Sequence, residues 1–201
     1  MIKKSEIIEQ TNLALDFIQK LYLEASYLIK EIEGILHEEE EKFIIGRPAG
    51  YGVSARSSTG LESTNVNLWL LRKFAVCFVP EDKTKIERGQ TVTRMDENLK
   101  ILYLRIILSD KKIHEPAVYS GVLHNIQKKP QAKWIGKFEN VMGHLEYNDD
   151  KIFKNVEKID YEDAYIKIQG ELLKNNLFEV NDSETILKKI IEPSLELFRK
   201  H

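Results

Sequence analysis

The opening of the chain constrains its fold more than any other feature. Between Ser5 and His37 there is no proline, and Ile7, Ala14, Ile18, Leu21, Ala25, Leu28, Ile32 and Ile35 recur in steps of three and four with only Thr11 breaking the row. Ile8, Leu15, Tyr22, Ile29 and Leu36 repeat beside it every seven residues. A helix gathers residues three and four apart onto one side, so the two rows predict one amphipathic helix with a broad apolar face sustained over about four heptads. Ser5 is the expected N-cap.

Such a helix is about 45 Å long at 1.5 Å per residue, whereas a body built from 201 residues is about 40 Å across. The helix must therefore lie across the whole molecule or project from it to meet a partner. The run Glu38-Glu39-Glu40-Glu41 follows. Carboxylates are unfavourable at the negative end of a helix dipole, so the run marks an exposed joint where the helix ends.

Beyond the joint the pattern changes. Gly46 to Gly60 carries glycines at 46, 50, 52 and 60 among hydroxyl residues and is the strongest loop signal in the chain. Phe74 to Val79 reads as a buried strand, and Lys83 to Asn98 as a polar connection. In Leu99 to Leu108, Leu102, Leu104, Ile106 and Leu108 alternate with Ile101, Tyr103, Arg105 and Ile107, which gives a strand covered on both faces and hence central. Ala117 to Ile126 is a further strand in which Gly121 signals a bulge or a close backbone approach.

Trp134, Phe138, Val141 and Leu145 have helical spacing, Tyr165 to Leu173 alternates as a strand, and Leu177 to Val180 is a short strand to pair with it. Asn181 with Glu184 opens a final helix, kinked at Pro193. Strands in the middle and helices at the ends predict an α+β fold: an antiparallel sheet packed against the long N-terminal helix and the C-terminal helix, with the opposite face of the sheet left for a groove. The expected organisation is a single domain over 1–201, with the long helix at 5–38, a mixed sheet region at 43–180 and the C-terminal helix at 182–200.

Charge narrows the partners. The formal net charge of −2 provides no whole-molecule field to attract polyanions or acidic membranes, so nucleic-acid binding would need a local patch. That patch is Lys128, Lys129, Lys133 and Lys137 around Trp134, a basic group with an aromatic ring for stacking. The lone cysteine, Cys77, sits in an apolar run, which rules out a disulfide within the chain and points to the cytoplasm. No secretory leader or spanning helix is expected, since no apolar run approaches the ~18 residues needed.

The glycine-rich loop is the candidate ligand site. Backbone N–H groups free of bulky neighbours can surround an anion, and Arg47, Tyr51 and Arg56 supply charge and a ring. Gly50-Tyr-Gly-Val-Ser-Ala55 fits a dinucleotide fingerprint in form but lacks the strand before it, the helix after it and the later acidic residue. The five histidines are scattered, no metal-ligand spacing occurs, and no catalytic residue or cofactor is assigned.

These observations give a leading reading and an alternative. The first is a non-catalytic regulatory or sensor-like module that binds a protein partner or a small anionic ligand and self-associates through its N-terminal helix. The second is an enzyme acting on nucleotides or nucleic acid, with the Gly46–Gly60 loop holding phosphate.

Overall fold

The computed structural model describes residues 4–46, 72–87, 90–97, 99–110, 113–133 and 136–201. The chain begins with helix α1 (Lys4–Glu38), one unbroken rod as its periodicity requires. Ser5 lies inside it rather than capping it. Strands β1 (Phe43–Ile45), β2 (Lys73–Pro80), β5 (Ile101–Ile107), β6 (Ala117–Lys128), β7 (Ile159–Glu162) and β8 (Ile166–Asn176) form a six-stranded sheet in the order β1-β2-β5-β6-β8-β7. Every neighbouring pair in it is antiparallel. Strands β3 (Thr84–Glu87) and β4 (Gln90–Thr93) pair as a separate hairpin within the stretch expected to be a plain connection.

Strand β5 is central and buried along its whole length, and its alternation splits the core into two. Leu102, Leu104 and Ile106 join Val76, Phe78, Val118 and Val122 beneath Ala25, Leu28, Ile29, Ile32 and Leu36 of α1 and beneath the C-terminal helix. Ile101, Tyr103 and Ile107 face the other way, with Cys77, Tyr119 and Leu123, and are covered by Phe138, Val141, Met142 and Leu145 of α2 (Phe138–Tyr147) and by Ile152 of α3 (Asp149–Ile152). Both faces of the sheet are therefore closed, which corrects the expectation of helices on one side only. Removing each large aliphatic of this kind from water contributes about 1.5–3 kcal/mol.

Glycines set the sheet's closest approaches. A Cβ on Gly121 of β6 would stand 2.1 Å from the carbonyl oxygen of Glu171 on β8, so the anticipated close backbone approach is present there. The bulge lies further along, between His124 and Gln127, where Asn125 adopts φ 50°. Asparagine tolerates that left-handed conformation. Gly46, just after β1, donates its N–H to the Cys77 carbonyl at 2.9 Å, and a Cβ on it would come within 2.9 Å of Cys77, Val79 and Phe138 atoms.

The segment at Leu177–Glu179 is a turn of 3-10 helix, not a strand, and pairs with nothing in the sheet. The C-terminal helix starts one residue later than anticipated. Asp182 accepts from the Thr185 N–H at 2.8 Å while the Thr185 hydroxyl lies 3.3 Å from the Asp182 N–H, a reciprocal capping box. After α4 (Ser183–Ile186) the helix widens into a π-helical stretch, Leu187–Ile191, and resumes as α5 (Glu192–Lys200). Proline has no N–H, so Pro193 cannot bond the carbonyl four residues back. That carbonyl, on Lys189, instead accepts from the Asn175 side-chain amide of β8 at 3.0 Å. Among the described residues no helix is long and apolar enough to cross a membrane.

Candidate functional site

Two features stand apart from the packed core. The first is the N-terminal half of α1. All five buried residues of this helix fall at Ala25 or later, while every residue from Lys4 to Phe17 is exposed. Near the middle of the helix the Tyr22 ring meets Phe74 of β2 edge-on at 5.6 Å. About 25 Å of helix, Lys4 to Lys20, thus overhangs the sheet. Its apolar side is the continuation of the buried one: Ile8, Leu15 and Ile18 extend the line of Tyr22, Ala25, Ile29, Ile32 and Leu36. Ile7 and Ile8 are 51% exposed and Leu15 52%. The charges Glu6, Glu9, Asp16, Lys20 and Glu24 occupy the far side of the helix.

The second feature is a cleft on the opposite side of the sheet, where α2, α3, β7 and the turn into β8 meet. Its hub is Asp163. One carboxylate oxygen accepts from the backbone N–H groups of Tyr165 (2.8 Å) and Ile166 (2.9 Å); the other accepts the Tyr161 hydroxyl at 2.8 Å and lies 2.7 Å from Nε2 of His144. Burial alone would raise the Asp163 pKa, but the N–H groups of Ile166 and Tyr165, with Tyr161 and His144, hold it down at about 2. An ionised carboxylate only accepts, so His144 carries its proton on Nε2 and donates it. Tyr161, by burial and by its bond to that carboxylate, is pushed up to about 12.

The hub fastens α2 to the β7–β8 turn and fixes the cleft wall. Glu139, Asn140, Gly143, His144, Tyr147, Asn148 and Lys151 line one side at helical spacing; Tyr161, Asp163 and Tyr165 line the other. The cleft encloses about 580 Å³, within the range of small-molecule sites. The Tyr165 ring stands edge-on to His144 at 5.8 Å.

A charged cluster beneath α3 anchors this layer. Lys73 of β2 reaches Asp110 at 2.7 Å and Asp149 at 3.1 Å, and Asp149 also pairs with Arg105 of β5. The Arg105 guanidinium lies 4.8 Å from the centre of the Phe153 ring, which stacks on Tyr103. The Arg105 side chain is 8% exposed, so this ion pair is desolvated and fixes the start of α3 on the sheet.

Of the residues singled out from sequence, Arg47, Tyr51, Arg56 and Trp134 lie outside the described residues. The lysines do not share a helix face. Lys128 ends β6, Lys129 pairs with Glu162 of β7, Lys133 is in the following turn, and Lys137 immediately precedes α2, which starts only at Phe138. His124 stacks on His201 at 4.2 Å; burial, then His201 and Lys100, lower its pKa. Among the described residues no group of three or more histidines, cysteines, aspartates or glutamates is placed to hold a metal ion. The Asp163 cleft escaped sequence reasoning because its two walls are brought together by the packing of α2 and α3 on the sheet, which no local spacing records. The one local signal was the capping-type turn Asp163-Ala-Tyr165, where an aspartate is well suited to bind backbone N–H groups two and three residues on.

Compared with known proteins, the chain matches no family model, no curated protein and no solved structure.

Proposed function

We propose that this protein is an interaction module that binds a second copy of itself through the overhanging half of α1, with the two helices antiparallel. The observation that carries this reading is that one apolar stripe runs the length of α1 and, among the described residues, the buried part of it lies only in the second half. In water a helix of this length gains little from propensity alone and draws most of its stability from packing an apolar face. A matching helix supplies that packing.

The orientation follows from where the body sits. The sheet lies on the same side of α1 as the stripe, so two parallel helices facing each other would drive the Ala25–Leu36 half of one into the sheet beneath the other. Antiparallel, each overhang lies along the other overhang instead of over the Ala25–Leu36 half of the second copy. The register with interleaved apolar layers sets Ile8 against Ile18 of the second copy and Thr11 against its Leu15. Ala14 then meets Ala14 on one flank and Asn12 meets Asn12 on the other, so no like charges face each other. A contact about 25 Å long belongs with the smaller interfaces, below about 1,200 Å², and implies a dimer that forms at micromolar concentrations.

Sedimentation equilibrium from about 1 to 200 µM tests this reading. A monomer–dimer equilibrium is expected, abolished by Leu15→Glu with Ile18→Glu. Mixing Ile8→Cys with Ile18→Cys protein under oxidation should give cross-linked dimer more readily than either variant alone. A monomer across the whole range overturns self-association; preferential cross-linking of each variant with itself overturns the orientation.

A further inference from the structure

Gly143 is out of place by helix energetics. It sits inside α2, where glycine costs about 1 kcal/mol relative to alanine, and no packing demands it, since a Cβ there would meet nothing within 4 Å. What a longer side chain at 143 would fill is the cleft built around Asp163. The glycine keeps that space open at a cost to the helix.

The groups around it have a consistent chemistry. Three tyrosines, 147, 161 and 165, contribute ring surface; Tyr147 is 71% exposed and Tyr165 41%, far more than rings held only for packing. Asn148 gives a side-chain N–H to the His144 backbone carbonyl at 3.2 Å, and no hydrogen bond reaches its carbonyl oxygen among the described residues. Glu139 and Lys151, the first and last residues of the helical wall, make no ion pair among the described residues. The cleft thus offers ring faces in its middle, acceptors in Glu139 and Asn148, and a cation at Lys151. The four donors on Asp163 occupy that carboxylate and hold the wall rigid before any ligand arrives.

We propose that this cleft binds a nucleoside monophosphate whose base carries an exocyclic amino group. The base lies against tyrosine, its amino group donates to Glu139 or the Asn148 oxygen, and the phosphate pairs with Lys151. Base–tyrosine stacking tolerates any base, whereas a carboxylate acceptor selects those with an amino edge. Lysine meets the phosphate as a point charge.

Calorimetric titration of the full chain with AMP, CMP, GMP and UMP, with the corresponding nucleosides and with neutral hexoses, tests the assignment. The amino-bearing nucleotides should bind with Kd below about 1 mM, and UMP about fivefold or more weaker. Removing the phosphate should weaken binding by a similar factor in the natural protein and have no effect in Lys151→Ala. Gly143→Gln should abolish binding while its Tm stays the same or rises, which separates filling of the cleft from unfolding. Tyr147→Ala, at an exposed position, should weaken binding about tenfold. Absence of heat with every nucleotide, equal affinity for UMP, undiminished binding by Gly143→Gln, or a preference for hexoses overturns the proposal.

Discussion

The two halves of α1 carry one stripe in two environments, and isoleucine-to-alanine substitutions in each half should separate them. Ile32 is 2% exposed against the sheet. Ile32→Ala removes buried methyl groups where the surroundings relax only partly, at a cost of about 2–5 kcal/mol. For a domain of this size each kcal/mol lowers Tm by about 2–4 °C, so a mid-range loss of about 3 kcal/mol should lower it by roughly 6–12 °C. Ile8, 51% exposed, loses little in an isolated copy; Ile8→Ala should change stability by less than about 0.5 kcal/mol, or under 2 °C. The assay is thermal unfolding by circular dichroism at about 1 µM, repeated at about 100 µM, where the proposed dimer would add stability by mass action. At the higher concentration natural protein should gain Tm and Ile8→Ala should gain less, while the Ile32→Ala deficit persists. If Ile8→Ala destabilises dilute protein as much as Ile32→Ala does, the overhang is covered by its own chain and the reasoning fails.

Three further outcomes follow from the geometry. Arg105→Ala strips the desolvated partner from Asp149 and uncovers Phe153, and should cost about 3–5 kcal/mol in chemical denaturation; a loss under 1 kcal/mol would show that the pair is solvated. Asp163 has its folded pKa depressed to about 2, so its contribution is present above the unfolded value near 3.8 and disappears as pH falls through 2. Denaturation midpoints between pH 5 and 2 should fall less steeply in Asp163→Asn, whose stability at pH 7 should be lower by about 1–2 kcal/mol once screening at this partly open site is allowed for. Gly46→Ala forces a methyl group into Phe138, Cys77 and Val79 and should destabilise by about 1–3 kcal/mol, read as a lower Tm; an unchanged Tm would mean the β1–β2 contact yields readily.

The parts of the fold that could be read from sequence are those in which burial repeats along the chain. Helix α1 and strands β2, β5, β6 and β8 each place enough side chains in the core to print a period on the residues, and β5 even showed its two faces correctly. Strands β1 and β7 hold three and four residues, too few for a period to stand out. The hairpin β3–β4 lies outside the main sheet, and β3 keeps polar residues at Thr84, Lys85 and Glu87 because it buries no face.

A period also cannot reveal what lies opposite a face. The stripe of α1 looks the same over Ile8 as over Ile29, although only Ile29 has the sheet beneath it. The Asp163 cleft was illegible for a related reason. His144 and Asp163 are brought together by the packing of α2 against β7 and β8, and no local spacing records that approach. The overlooked covering of the second sheet face has the same origin, since the helical signal around Phe138 carried no indication of the surface it would meet.

The rims of the sheet limit what larger assemblies the chain can form. Among the described residues one outermost strand is only Phe43–Ile45 and the other is Ile159–Glu162, which carries the exposed Asp160 and Glu162. Short and charged borders discourage a foreign strand from zipping on, so open-ended growth by backbone pairing is disfavoured. In the proposed dimer joining falls instead to the projecting rod, and a rod that meets its own copy about a twofold axis satisfies both partners at once. Such a union would stop at two, since a closed twofold contact leaves no equivalent surface open for a third copy.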